Sequence, residues 1–510
     1  MNISVLSGKY KIFVLLLLII FLTAFLRFHN LEKIYVFNFD EEYQATYAWT
    51  LVKDFHPIWI GVSSSFLDFY LGPYFTYFTA FLSYFSKGDP MLHAYFAAGL
   101  GVFTTVLIFL TGWKIFNLTT GIVASLLYAS LPILVFFDQK YWNTMFTPII
   151  VLLLFVTLYL VKKSLWYWTA FAALLGAMLE THLEPVPLFL IGIWNFLKGG
   201  FFKNIKLVLV SLIIFAFFYW PLAVFDYYHN FSNLTLFTRI GSGFSESRIV
   251  FNPIAKIKSL FDAMGRFWYL RPGNPNADEI NLSCTSLSVK PEFKIIDQYA
   301  KRTYASPFLS ILTLVLLGYF LWTSFTGKSR QNKLLSVFLI VAVLAFIVFP
   351  GGSSEYYALQ FLVLFTLVPG ILIGQLKKNF QLISIILIMV IAGLGINTVL
   401  YSSDEFSLGP KKKIISGVMN EIGNSSFSVE GRGICHDYEG WRYLFKIYGK
   451  VPAQSYTDKE LGWLYPEEIE KNKPKYTVIL SEERIPLTED LSNLPSLRDG
   501  GYRAYIRKNY

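Results

Sequence analysis

Long uncharged apolar runs recur along this chain, separated by short polar breaks. A helix needs roughly 20 apolar residues to cross a bilayer. On that measure eleven stretches predict spans: 11–28, 90–112, 118–137, 145–161, 165–180, 185–198, 206–225, 307–326, 334–350, 357–376 and 380–400. A twelfth stretch, 66–86, is rich in Phe and Tyr, is interrupted by Gly72-Pro73 and is short for a crossing. Past Tyr401 the pattern changes. Residues 411–422 carry a helical period, and 427–430, 476–480 and 502–506 alternate as strands do.

Composition agrees with this pattern. The chain is 54% hydrophobic and 18% aromatic, more apolar than soluble domains. Its net charge of +10 would otherwise suggest nucleic acid. The lysines, however, sit in short clusters between apolar runs, where they act as topology signals, so no nucleic-acid partner is expected. With the N-terminus inside and 66–86 lying at the outer interface, the basic clusters fall on one side. They are Lys9 and Lys11, Lys114, Lys162 and Lys163, Lys198 with Lys203 and Lys206, Lys328 with Arg330 and Lys333, and Lys377 with Lys378. If 66–86 crossed, the first cluster would oppose all the later ones. The first apolar run runs into Arg27-Phe28-His29 with no small-residue cleavage site, so it reads as a retained helix.

The expected fold class is therefore all-α and polytopic, with about eleven transmembrane helices and a small extracytoplasmic α/β domain at the C-terminus. Residues 1–400 form the membrane module, with outer loops 29–89 and 226–306, and 401–510 form the soluble domain. The location is a cell membrane, multi-pass, with the N-terminus cytoplasmic. Cys284 and Cys435 both fall outside in this topology and belong to no metal or redox motif; a disulfide and a free pair both remain open.

The same topology gathers the polar chemistry on the outer face. Asp40-Glu41-Glu42 follows the first span, flanked by Phe37, Phe39 and Tyr43. Asp40 reads either as the N-cap of a helix running to Val52 or as a carboxylate serving as general base or metal ligand. The turn 138–144 offers Lys140 to a phosphate and Asn143 to a sugar hydroxyl, or else it is a plain turn with a Trp/Tyr interface anchor. Glu180, His182 and Glu184 form either a divalent-metal set or a hydrogen-bonded cluster at a helix end. Loop 226–306 brings Arg266 and Arg271, and is either a binding loop or a spacer. No Walker loop or dinucleotide fingerprint is present, which disfavours a nucleotide-activated donor inside. A donor held in the membrane, with a lipid tail and an anionic head, suits these positions better.

Taken in order, these pieces resemble the GT-C superfamily of integral-membrane glycosyltransferases, and most closely its bacterial family 39 group. That group contains protein O-mannosyltransferases and lipid A aminoarabinose transferases. Phe39-Asp40-Glu41 with Tyr43 resembles the acidic motif of the first outer loop, and Tyr70-Leu71-Gly72-Pro73-Tyr74-Phe75 the stretch after it. Asp89-Pro90 opens the second span. Leu131-Pro132 with Tyr141-Trp142-Asn143, Gly176 with His182-Leu183, and Phe225-Asp226 with His229-Asn230-Phe231 match later motifs. The resemblance covers roughly residues 10–400.

It implies a polyprenyl-phosphate-linked sugar donor, membrane lipids as surroundings, and a glycan, lipid or protein acceptor. It implies Asp40 as the base, with Glu41 beside it, and inversion at the anomeric carbon. Lys140, Arg266 and Arg271 would meet the phosphate, and Tyr141, Asn143, His182 and Tyr356 would line the substrate site. A divalent metal is a candidate cofactor through Glu180, His182 and Glu184. Three departures stand out: Gln139-Lys140 where an Arg is usual, Glu180-Thr181 before His182, and Glu355 where a basic residue precedes Tyr. They keep a non-catalytic partner of a glycan-assembly complex in view, and a transporter or flippase for lipid-linked glycans is the other alternative. A flippase needs a polar path at mid-depth and often internal repeats, and neither is visible.

Overall fold

The computed structural model describes residues 3–64, 69–198, 204–235, 252–272, 282–283, 294–295, 303–348, 355–434 and 439–509. All eleven apolar stretches are helical where described, as hydrocarbon requires of a chain that must satisfy its own backbone. Eight helices among the described residues are long and apolar enough to cross a membrane, so the protein is multi-pass. One further helix pair, Leu118–Ser130 and Pro132–Asp138, meets at 68°, the geometry of a broken span or a re-entrant loop. Pro132 has no N–H to give the preceding turn and pushes Leu131 into extended backbone. The carbonyls of Tyr128 and Ala129 are taken up instead by the buried Arg27 guanidinium, at 2.9 and 3.1 Å. Arg27 Nε also donates to Asp138 Oδ2 at 2.8 Å, which ties both halves of the bend to the first helix.

The two remaining stretches form Tyr167–Thr181 and Val186–Lys198, of 15 and 13 residues. At 1.5 Å per residue each is about 20 Å long, shorter than a hydrocarbon core of roughly 30 Å. The polar segment 180–184 sits where they meet. Tyr74–Ser86 is a 13-residue helix with two faces. It buries Phe75, Thr76, Thr79 and Leu82 and exposes Phe81, Tyr84 and Phe85. Such a helix suits an interface better than a crossing.

Helix ends that carry basic clusters meet in two places. Arg330 donates to the carbonyl of Tyr159 at 3.2 Å, and Gln381 Nε2 to Thr119 Oγ1 at 3.1 Å. The acidic segment, the turn at Lys140 and the segment at Glu355 gather at the opposite end.

The C-terminal part has the expected mixed α/β pattern. Helices Leu408–Ile422 and Trp441–Tyr448 pack on a five-stranded sheet. Its strand order is Ser496–Asp499, Tyr502–Lys508, Tyr476–Glu482, Phe427–Gly431, Gln454–Ser455. Phe427–Gly431 runs parallel to both of its neighbours, with Val429 opposite Val478. One hydrophobic core, including Leu127, Phe155, Phe338 and Leu362, fills the helical bundle. A second core runs without a break from Phe37, Phe75 and Tyr141 to Phe427, Trp441 and Tyr502. The C-terminal part is thus packed onto the end of the bundle that carries the acids.

Candidate active site

The three consecutive acids have three different surroundings. The acidic helix is Phe39–Lys53, capped by Asn38. This corrects the sequence expectation of Asp40 as cap: Asn38 and Glu41 form a reciprocal capping box, with the Asn38 N–H donating to Glu41 Oε2 at 3.2 Å. Asp40 lies in the first turn, exposed, and makes no hydrogen bond or ion pair among the described residues. Glu41 is buried, and its other oxygen lies 3.4 Å from Lys140 Nζ. Burial raises the Glu41 pKa, and the Lys140 ammonium is the largest influence opposing it. Glu42 is buried facing the C-terminal part, where it accepts from the amides of Gly440 at 2.7 Å and Tyr443 at 3.2 Å.

The turn after the bent helix pair supplies the cation and the aromatic wall. Lys140 Nζ stands 4.6 Å from the Trp142 ring centre, and Trp142 meets Tyr356 edge to face at 4.5 Å. Tyr356 lies against Tyr357, with ring centres 4.0 Å apart. Asp40 is within electrostatic range of both tyrosines. Asp40, Glu41, Lys140 and Tyr356 are thus neighbours at this end of the bundle.

Other expected residues are turned elsewhere. Tyr141 is buried, bonded to Thr79 Oγ1 at 2.8 Å and stacked on His93 and Phe75. Asn143 Nδ2 donates to the carbonyl of Thr181 at 2.8 Å, so its amide closes the packing of two helix ends. His182 borders the tyrosines, its ring centre 5.6 Å from that of Tyr357, and its Nδ1 accepts from the Glu184 amide at 3.2 Å.

The metal set is corrected. Glu180 accepts from the Tyr74 amide at 2.8 Å, and Glu184 accepts from Gln360 Nε2 at 2.9 Å. Their carboxylates leave in different directions, and no group of three acids, histidines or cysteines among the described residues could hold a metal. Glu180 instead braces the Gly72 turn. A Cβ on Gly72 would stand 1.9 Å from its Oε1, so any larger residue there would displace the Glu180 carboxylate.

The long loop contributes the amphipathic helix Pro253–Trp268. Arg266 is mostly buried, with its Nε donating to Glu355 Oε1 at 2.6 Å. Glu355, anomalous in the sequence, is the counter-charge of an arginine far away in the chain. The Arg271 side chain lies outside the described residues, as do Cys284 and Cys435.

Lys256 is a site residue the sequence reading missed. It is buried within electrostatic range of Glu184 and lies 5.6 Å from the centre of the Tyr357 ring. Burial lowers its pKa to about 8 and Glu184 opposes the fall. The signal was present: Lys256, Leu260, Ala263, Met264 and Phe267 share a face at helical spacing, which puts a lysine on an apolar stripe.

Electrostatically, this end of the bundle combines one exposed carboxylate with cations at Lys140, Lys256 and Arg266, each balanced by its own acid. It could hold an anionic head group and take a proton from a nearby hydroxyl.

No protein-family model matches the sequence, and no characterised protein matches it at the sequence level. Solved structures do match by fold. ArnT from Cupriavidus metallidurans bound to undecaprenyl phosphate aligns with a TM-score of 0.60 at 10% identity, covering 98% of each chain. AglB, an oligosaccharyltransferase from Archaeoglobus fulgidus in complex with an inhibitory peptide and a dolichol-phosphate, aligns at 0.50 and 13%, covering 92% of this chain and 69% of that one. The same enzyme tethered to an acceptor peptide containing the NVT sequon gives 0.51 and 13%, over 93% and 69%. The chain shares the fold of these membrane transferases over nearly its whole length.

Proposed function

We propose that this protein is a glycosyltransferase that moves a sugar from a polyprenyl-phosphate donor to an acceptor hydroxyl outside the cytoplasmic membrane. The observation that carries the reading is Asp40, an exposed carboxylate within electrostatic range of the Tyr356–Tyr357 pair and next in sequence to the Glu41 that Lys140 engages. The solved structures of like fold favour the donor class, because ArnT was captured with undecaprenyl phosphate and AglB with a dolichol-phosphate.

In this reaction the acceptor oxygen attacks the anomeric carbon from the face opposite the phosphate. The bond from that carbon to the phosphate oxygen breaks, and polyprenyl phosphate leaves with the bonding electrons. The acceptor proton passes to Asp40, and the configuration inverts. Positive charge must face the leaving phosphate as its charge grows. Lys140, Lys256 and Arg266 are assigned that task, with Tyr356 and His182 shaping the sugar side. The gathering of Lys and Arg in the short connections between apolar runs supports a cytoplasmic N-terminus and an outward-facing site.

The test is transfer by the lipid-reconstituted protein from a synthetic prenyl-phosphate sugar. Removing a general base costs roughly 10²–10⁴-fold. Asp40→Asn is expected to lose activity on that scale while melting as the wild type does. A fully active Asp40→Asn protein refutes the assignment.

A further inference from the structure

The start of the acidic helix is held from the C-terminal domain. The Lys411 ammonium is fully buried and donates to the Phe37 carbonyl at 2.8 Å, to Asn38 Oδ1 at 3.1 Å and to the Glu439 carbonyl. It also lies 5.3 and 5.1 Å from the ring centres of Trp441 and Tyr502. An ammonium has three protons to give, and all three are used. From the other side Glu42 holds the Gly440 and Tyr443 amides at the start of Trp441–Tyr448. Gly440 has φ +86°, and a Cβ there would stand 2.5 Å from the Phe37 ring and 2.8 Å from the Phe37 carbonyl oxygen. The contact is therefore tight as well as polar.

A buried cation is a poor choice for stability alone, because apolar residues of similar volume often hold a fold as well or better. Two of the three Lys411 acceptors lie at the residues that decide where the acidic helix begins. Asn38 is its cap, and Asp40 follows two positions later.

We infer that the C-terminal domain is a positioning clamp for the catalytic segment: Lys411, Gly440 and Glu42 fix Asn38, and through it the placement of Asp40 and Glu41 against Lys140. The inference rests on the transferase reading for its kinetic consequence. Lys411 is a positioning residue and touches no reacting atom. Misplacing a reacting group by about 1 Å can cost on the order of 10²-fold.

The test compares three variants of the full-length, lipid-reconstituted protein. Lys411→Met removes all three hydrogen bonds. Gly440→Ala keeps them and presses on Phe37, so it carries the test if Lys411→Met fails to fold. Val478→Ala opens a cavity on the sheet beside Val429 and leaves the hydrogen bonds at Phe37, Asn38 and Gly440 in place. The first two should lower kcat by roughly tenfold or more, with donor KM within about twofold. They should also speed amide hydrogen exchange across 38–42. Val478→Ala should lower the melting temperature and leave kcat and that exchange as in the wild type. Wild-type kcat in both Lys411→Met and Gly440→Ala, or an equal loss in Val478→Ala, overturns the clamp. A wild type that transfers no sugar overturns the transferase reading instead. The exchange comparison then decides the clamp alone, and unchanged exchange at 38–42 overturns it.

Discussion

Replacing Lys140 by Met separates two jobs the structure gives to one side chain. Its Nζ lies 3.4 Å from Glu41 Oε1, with side chains 18% and 2% exposed. At an effective dielectric near 20, unit charges at that distance attract by about 5 kcal/mol. Most of this is offset by taking the charges out of water, so the measurable coupling should fall at roughly 0.5–3 kcal/mol. Without the ammonium, the buried Glu41 loses the largest influence holding its pKa down, and its proton affinity rises further. Pairing Lys140→Met with Glu41→Gln removes that burden. The unfolding free energy lost by the double variant should then be less than the sum of the two single losses. Donor affinity should behave differently. A charge-assisted hydrogen bond to phosphate contributes roughly 1.5–3 kcal/mol, or about 10- to 150-fold in KM. Donor KM should rise on that scale in Lys140→Met and stay raised in the double variant. The assay is steady-state transfer over a range of donor concentrations, with thermal unfolding of all four proteins. Recovery of wild-type donor KM in the double variant would show that Lys140 serves Glu41 alone. Strictly additive stabilities would refute the ion pair.

Two further outcomes follow from the cations on Pro253–Trp268. Removing either partner of the Arg266–Glu355 pair should cost about 3–5 kcal/mol of stability, and removing both should cost less than the sum. Glu355→Arg, which restores a basic residue at the place where the resembled family carries one, should destabilise the protein because it would face Arg266; adding Arg266→Glu should recover stability in a detergent melt, and failure to recover it would count against the pair. Lys256, with its pKa lowered to about 8 by burial and faced by Glu184, should lose its charge as pH rises through that value, so donor KM should climb above about pH 8. The stability contribution has the opposite sign: between about pH 8 and the ordinary lysine pKa of roughly 10.4 the unfolded chain binds more protons than the folded one, so this group makes the fold more stable as pH rises. A donor KM that stays flat from pH 7 to 9 would remove Lys256 from the phosphate site.

The membrane architecture was legible because its rules are local. Apolar run length sets helix length, and hydrocarbon forces backbone groups to pair within the segment; the 68° bend at Pro132 divides a stretch, 118–137, that reads as one span. Alternation in the C-terminal part likewise named the strands Phe427–Gly431, Tyr476–Glu482 and Tyr502–Lys508 to within a few residues. The site was less legible because its groups are chosen by partners remote in sequence. Arg266 and Glu355 are 89 positions apart, and Glu355 looked like a lost cation until its neighbour was known. Asn143 had the chemistry to bind a sugar, but the Thr181 carbonyl holds its amide. Glu180, His182 and Glu184 shared a spacing, yet the helix start at Tyr74 and the helix at Gln360 drew the two carboxylates apart.

The acidic segment marks the division most sharply. Its sequence alone determined that three carboxylates stand beside a membrane at the start of a helix, because apolar runs and helix-start chemistry are read over a few residues. Only the tertiary structure decided their separate fates. Glu41 turns to Asn38 and Lys140, Glu42 turns to amides 398 and 401 positions away, and Asp40 stays exposed beside the tyrosines. The reason is that a carboxylate's role depends on which donors and how much water surround it, and distant parts of the chain supply both.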